Sequence, residues 1–134
     1  MTTVRLVANY KIPLDRITPG GSGVWDDIQF VTEEMDRPDF LISFNYPDRP
    51  VVAHCPSEHC WALIQEPPTF THHWLHTSHP GFSRLYSCQP DLKGEHRELC
   101  PPYLHWHFNK SFDQLCSEPP PEKSRELSTI TSSL

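Results

Sequence analysis

The chain has 134 residues, of which 37% are hydrophobic, and its 17 acidic and 11 basic residues leave a net charge of −6. That length suits one domain or one lobe of a larger enzyme. With no basic run or stripe, nucleic acid is excluded as the expected partner, and no apolar run approaches the ~18 residues that argue for a membrane span. The opening Met1-Thr2-Thr3-Val4-Arg5-Leu6-Val7 lacks the long apolar core of a secretory signal. The expected location is therefore the cytoplasm, at most peripheral to a membrane. Five cysteines, an odd number with no C-x-x-C, favour reduced thiols over a disulfide framework.

In chain order, Val4 to Asn9 reads as a first strand. Pro13, Pro19 and Gly20-Gly21-Ser22-Gly23 mark a long irregular connection, with a flexible loop expected at the glycines. Residues 24, 25, 28, 30 and 31 are apolar, which fits a short helix or a strand, the strand being preferred. Thr32 to Asp36 is a polar turn. Asp39 to Phe44 is a clear core strand entered from Pro38, and Asn45-Tyr46-Pro47-Asp48-Arg49-Pro50 is its turn-rich exit. Cys55 to Cys60 breaks the chain before a further apolar run. Thr69 or Thr71 as a cap predicts a short helix over His72 to Ser78, ended by Pro80-Gly81. Phe82 to Cys88 reads as another strand, and Asp91 to Glu98 as a polar, helical turn. Cys100 to Phe108 suits an edge strand or an aromatic-lined loop, and Ser111 to Cys116 one helical turn.

Residues 1–117 thus form the expected domain. Residues 118–134 begin with the stiff linker Glu118-Pro119-Pro120-Pro121-Glu122-Lys123 and then open a strand-like run that stops, as a truncated chain would. Strands near 4–9, 40–44, 61–65 and 83–88 predict an α/β fold with a mostly parallel sheet and helices on its faces.

The stretch most suggestive of chemistry is Trp61-Ala62-Leu63-Ile64-Gln65-Glu66-Pro67-Pro68. Trp61 to Ile64 reads as a buried strand. Two prolines cannot extend its ladder, and Pro67 restricts the backbone of Glu66 to extended geometry. A carboxylate is thereby held at the carboxyl end of a core strand, where open α/β sheets bind ligands. The plainer alternative is that Glu66 solvates a strand end. His72, His76 and His79 share one helical face, and Cys55, His59 and Cys60 offer half of a zinc site. No second ligand pair at the usual spacing accompanies them, so no metal is expected. No nucleophile elbow, Walker loop or G-x-G-x-x-G is present.

The order of these motifs resembles the N-terminal half of glycosyltransferase family 10, the α1,3/α1,4-fucosyltransferases. An apolar strand leads to Asn45-Tyr46-Pro47, then Trp61-x-Leu63-x-x-Glu66-Pro67-Pro68. Phe82-x-x-x-Tyr86, Asp91-Leu92, Pro102-Tyr103 and a proline-rich spacer follow, and then Lys123-Ser124-x-x-Leu127-Ser128-x-Ile130-x-Ser132. The resemblance spans roughly residues 38 to 133. It implies a Rossmann-like, mostly parallel sheet, the N-terminal acceptor lobe of a GT-B glycosyltransferase. It also implies inverting transfer of fucose from GDP-fucose to a glycan hydroxyl, with Glu66 as the base. Asn45, Tyr46, His72 and His73 are the expected substrate-binding residues beside it. GDP-fucose is expected in a C-terminal lobe, and no cofactor in this chain. Position 67 is Pro where the family carries Ser, and His72 to His79 have no counterpart. The alternatives are a non-catalytic carbohydrate-binding or interaction module and a small zinc-stabilised module.

Overall fold

A computed structural model describes residues 1–47, 49–66, 81–90, 96–101, 109–120 and 122. Its strands are β1 (Thr2–Val7), β2 (Val24–Trp25), β3 (Ile28–Val31), β4 (Phe40–Phe44), β5 (Cys60–Leu63), β6 (Arg84–Ser87) and β7 (Arg97–Leu99). They form one seven-stranded sheet in the order β2-β3-β1-β4-β5-β6-β7. Every pairing is parallel except the β2–β3 hairpin at one edge. A mostly parallel α/β sheet, as the apolar runs imply, is what forms. The described residues add only two short helices, α1 (Leu14–Ile17) and α2 (Phe112–Ser117).

The centre of the sheet reads as a parallel core should. Val4, Arg5 and Leu6 are buried in succession, the mark of a strand enclosed on both faces. Ala62, Ile64 and Leu85 form the buried cluster, with Tyr46 and Phe82 packed against it. On the opposite face Trp61 lies between the rings of Phe40 and Tyr86, at 5.2 and 6.0 Å, and Arg84 sits 5.7 Å from its ring centre.

Three segments depart from the sequence expectation or refine it. Residues 24–31 resolve into β2 and β3, which pair Trp25 with Ile28 across a two-residue turn carrying Asp26 at φ 53°. Of the polar stretch 91–98 expected as a helical turn, residues 91–95 lie outside the described residues, and its end supplies β7 instead. Arg97, Glu98 and Leu99 pair with Leu85, Tyr86 and Ser87, so the open edge of β6 outweighs a weak local preference. The glycine run is a hydrogen-bonded 3₁₀ turn over Pro19–Gly21. Thr18 Oγ1 accepts from Gly23 N at 2.9 Å, and a Cβ on Gly21 would lie 2.7 Å from the Asp15 carbonyl oxygen. Gly20 N donates to Asp113 Oδ2 at 2.8 Å, so the chain's own carboxylate occupies the loop's exposed donor.

The turn expected from Ser111 forms as α2. Ser111 Oγ accepts from Gln114 N, and Gln114 Oε1 accepts from Ser111 N, a reciprocal cap. Phe112 meets Trp25 edge-on at 4.8 Å, docking α2 against the β2 corner. The helix expected over 72–78, all but the first two residues of the edge strand or aromatic-lined loop expected over 100–108, and the strand-like run after residue 123 lie outside the described residues.

The amino ends of the strands are laced together. Thr3 donates from N and Oγ1 to Asp39 Oδ2, at 2.7 and 2.8 Å, and those bonds hold the Asp39 carboxyl below its ordinary value, the main-chain bond most. His59 Nδ1 lies 2.9 Å from the Asp39 carbonyl oxygen, and its ring stacks on Phe40. Trp61 Nε1 and Ser83 Oγ both donate to the Glu58 carbonyl.

Candidate functional site

The carboxyl end of the same sheet is built differently. β4 ends at Phe44, and Asn45 turns the chain in the left-handed region at φ 54°, which Asn tolerates better than most residues. Asn45 N still donates to Leu63 O at 2.9 Å, extending the β4–β5 ladder by one bond. Its buried Oδ1 accepts from two successive main-chain amides, Gln65 N at 2.8 Å and Glu66 N at 3.3 Å. The register Phe44↔Leu63 puts the two segments side by side. Glu66 therefore leaves the sheet with its main chain held by the exit of the neighbouring strand. Ile64 N donates to Tyr86 O on the other side.

Tyr10, on the exit from β1, reaches across and donates to Gln65 Oε1 at 2.7 Å. Burial raises its hydroxyl above the ordinary tyrosine value. The bond to Gln65 opposes that rise, and the negative charge of Glu66 adds to it. Tyr10, Gln65 and Glu66 thus form one electrostatic unit. Of the residues expected at the site, Asn45 and Glu66 are brought together, with Asn45 engaged in positioning. Tyr46 is half-buried and packs on the Ala62–Ile64–Leu85 cluster. His72 and His73 lie outside the described residues.

A second feature of this edge is a cleft of about 490 Å³ at the exits of β1, β3 and β4. Leu6, Val7 and Ala8 form one wall, Thr32 and Glu33 another, and Pro47 and Arg49 a third. Tyr10 borders it as well, so the cleft and the Glu66 segment are neighbours. Pattern reading missed both Tyr10 and this cleft. The cue for the cleft was a lone arginine, Arg5, within the apolar run of β1.

Cys55 and Cys60 lie at the far end of the sheet. Cys55 Sγ and Cys60 Sγ are 3.3 Å apart, and the Cys60 thiol is pushed up to about 11, chiefly by burial and then by Cys55 and Glu58. His59 turns its ring to the Asp39 carbonyl, away from a shared site with the two thiols. Among the described residues no group of three His, Cys, Asp or Glu side chains could hold a metal ion. No described helix is long and apolar enough to cross a membrane.

The geometry defines a mostly parallel α/β sheet with a polar carboxyl edge. No family model, characterised protein or solved structure matches the chain.

Proposed function

We propose that this chain is the acceptor-side lobe of a sugar-transferring enzyme of the fucosyltransferase type, with Glu66 as its general base. The supporting observation is the clamp of Asn45 Oδ1 on Gln65 N and Glu66 N. It holds the main chain of half-buried Glu66 at the carboxyl edge of a parallel sheet, the edge where α/β folds bind ligands. The motif order around Asn45-Tyr46-Pro47 and Glu66-Pro67-Pro68 supplies the reaction class.

In that reaction an acceptor sugar hydroxyl attacks C1 of the fucose in GDP-fucose. The new C1–O bond forms as the bond to the diphosphate breaks, and GDP departs with the electron pair, inverting the anomeric carbon. The proton of the attacking hydroxyl passes to Glu66, which needs to lie within roughly 2.6–3.2 Å of that oxygen. A carboxylate on a main chain held in this way meets the demand at less cost than one on a free loop. GDP-fucose itself belongs in a second lobe, joined through the proline-rich residues after 117.

The test is Glu66→Gln in the two-lobed protein, assayed for transfer from GDP-fucose to a glycan acceptor. Turnover should fall by about 10²- to 10⁴-fold, the usual contribution of a general base, with donor affinity unchanged. Normal turnover in the variant would remove Glu66 from the mechanism. Calorimetry of this chain alone should give weak or no GDP-fucose binding, and tight binding would move the donor site onto this lobe.

A further inference from the structure

Arg5 occupies the middle of β1 with 7% of its surface exposed. A guanidinium keeps its charge in any protein environment, and burying it demands compensation. Only part of that compensation is present. Nη1 donates to the carbonyls of Met35 and Val52, both at 3.0 Å, bracing two loops against the strand. Nε is buried and has no hydrogen-bond partner among the described residues.

No described carboxylate forms an ion pair with Arg5. Glu34 pairs with Arg49, Asp36 with Arg37 and His54, and Glu33 accepts from Thr32 N. A brace between two carbonyls accounts for one nitrogen of the fork. It accounts for neither the rest of the fork nor the unneutralised charge.

The position of Arg5 supplies the missing element. From β1 the chain moves to β3 on one side, then crosses to β4 on the other. The strand order therefore reverses between β1 and β4, and doubly wound sheets bind ligands in the crevice outside the carboxyl ends at such a reversal. The cleft lies there, with Arg5 in its lining, and about 490 Å³ is within the range of small-ligand sites. Arg5, Lys11 and Arg49 line it together with Glu33 and Glu34, a local positive excess in a chain of net charge −6, and Arg5 also borders an adjoining cavity of about 430 Å³ where Met35 and Val52 lie. The other buried side-chain atom lacking a partner among the described residues is Ser43 Oγ. It lies on β4 on the same face as Arg5, since Arg5 pairs with Leu41, two residues before it.

We propose that this cleft is an oxyanion-binding site in which Arg5 receives the carboxylate, sulfate or phosphate group of a small ligand. The planar guanidinium fork suits such groups, and Lys11, exposed and outside any described ion pair, adds charge at the rim. The site is separate from Glu66 and does not depend on the sugar-transfer reading, although Tyr10 borders both.

The experiment is an amide chemical-shift titration of the full chain with inorganic phosphate, glucuronate and uncharged glucose. Phosphate or glucuronate should shift Leu6, Val7, Ala8, Tyr10 and Thr32, and glucose should not. Preference for phosphate assigns a phosphate ester, and preference for glucuronate an acidic sugar. Arg5→Gln should weaken the anion by about tenfold or more, the worth of a charge-assisted hydrogen bond. Because Arg5 also braces two loops, the decisive pair is Lys11→Ala and Glu33→Gln, both at exposed positions. The first should weaken the anion several-fold and the second strengthen it. Glucose shifting the same amides as strongly, or the Lys11 and Glu33 variants binding as the parent does, overturns the proposal. Glu66→Gln should leave the titration intact, so the two readings fail separately.

Discussion

The two ends of the sheet contrast in how they are held. The amino ends of β1, β4, β5 and β6 are tied by many side-chain bonds, through Thr3, Asp39, His59, Trp61 and Ser83, and most of these are exposed or half-exposed. Among the described residues, the carboxyl ends show fewer, chiefly those of Asn45 Oδ1 and Arg5 Nη1, but these groups are buried. Counting bonds would rank the amino end as the better secured. Burial reverses the ranking of individual residues, because an exposed donor that loses its partner turns to water while a buried one does not.

The sharpest test of that contrast is Asn45. Asn45→Ala strands two main-chain amides and puts an alanine at φ 54°. A loss of about 2–4 kcal/mol in urea unfolding is expected from the two causes together. Asn45→Gly keeps the left-handed turn and drops only the acceptor, so its loss should be roughly 1–3 kcal/mol. If neither variant is less stable than the parent, the carboxyl end does not depend on this residue and the comparison breaks.

Changes at the amino end should be milder and visible mainly through pH. The Cys60 thiol is raised from 9.0 to about 11 in the folded chain. Its contribution is therefore complete below pH 9 and is lost as pH rises toward 11, because the unfolded chain ionises first. Cys60→Ser should flatten the unfolding midpoint across that window, and an unchanged alkaline slope would show that the thiol pair adds nothing.

Asp39 should give the smallest effect, and with the opposite sign. Its carboxyl is held below 3.8, so its contribution is present above that pH and fades as acid protonates it in the folded state. Asp39→Asn should remove that part of the acid dependence and little else. An acid limb identical to the parent's would mean that the exposed Thr3 bonds carry no measurable stability.

β1, β4, β5 and β6 were legible because each lies in an apolar run bounded by proline or turn residues. β4 was placed at its observed bounds, whereas β1 begins two residues earlier than the apolar pattern, at Thr2. The meeting of Asn45 with Glu66 was legible as an adjacency of two strand exits. The Oδ1 clamp was not, since it depends on the register of β4 with β5 and on a positive φ. β7 escaped notice because Arg97-Glu98-Leu99 carries no apolar pattern and owes its form to the edge of β6. Arg5 was passed over, although it is a charge inside an apolar run. Its carbonyl partners lie 30 and 47 residues away, and no local rule reaches that far.

The corner where α2 meets the glycine turn has a consequence for the order of assembly. Gly20 and Asp113 are 93 residues apart in the chain, and the entropy of closing a loop rises with its length. The β2–β3 hairpin, joined by a two-residue turn, has no such penalty and can form within microseconds. Docking of α2 should follow consolidation of the sheet and be absent from the folding transition state. Asp113→Ala should then accelerate unfolding while leaving the refolding rate nearly unchanged. The last element to arrive would be the first to depart, so the chain's route to unfolding begins at the corner where α2 meets the glycine turn.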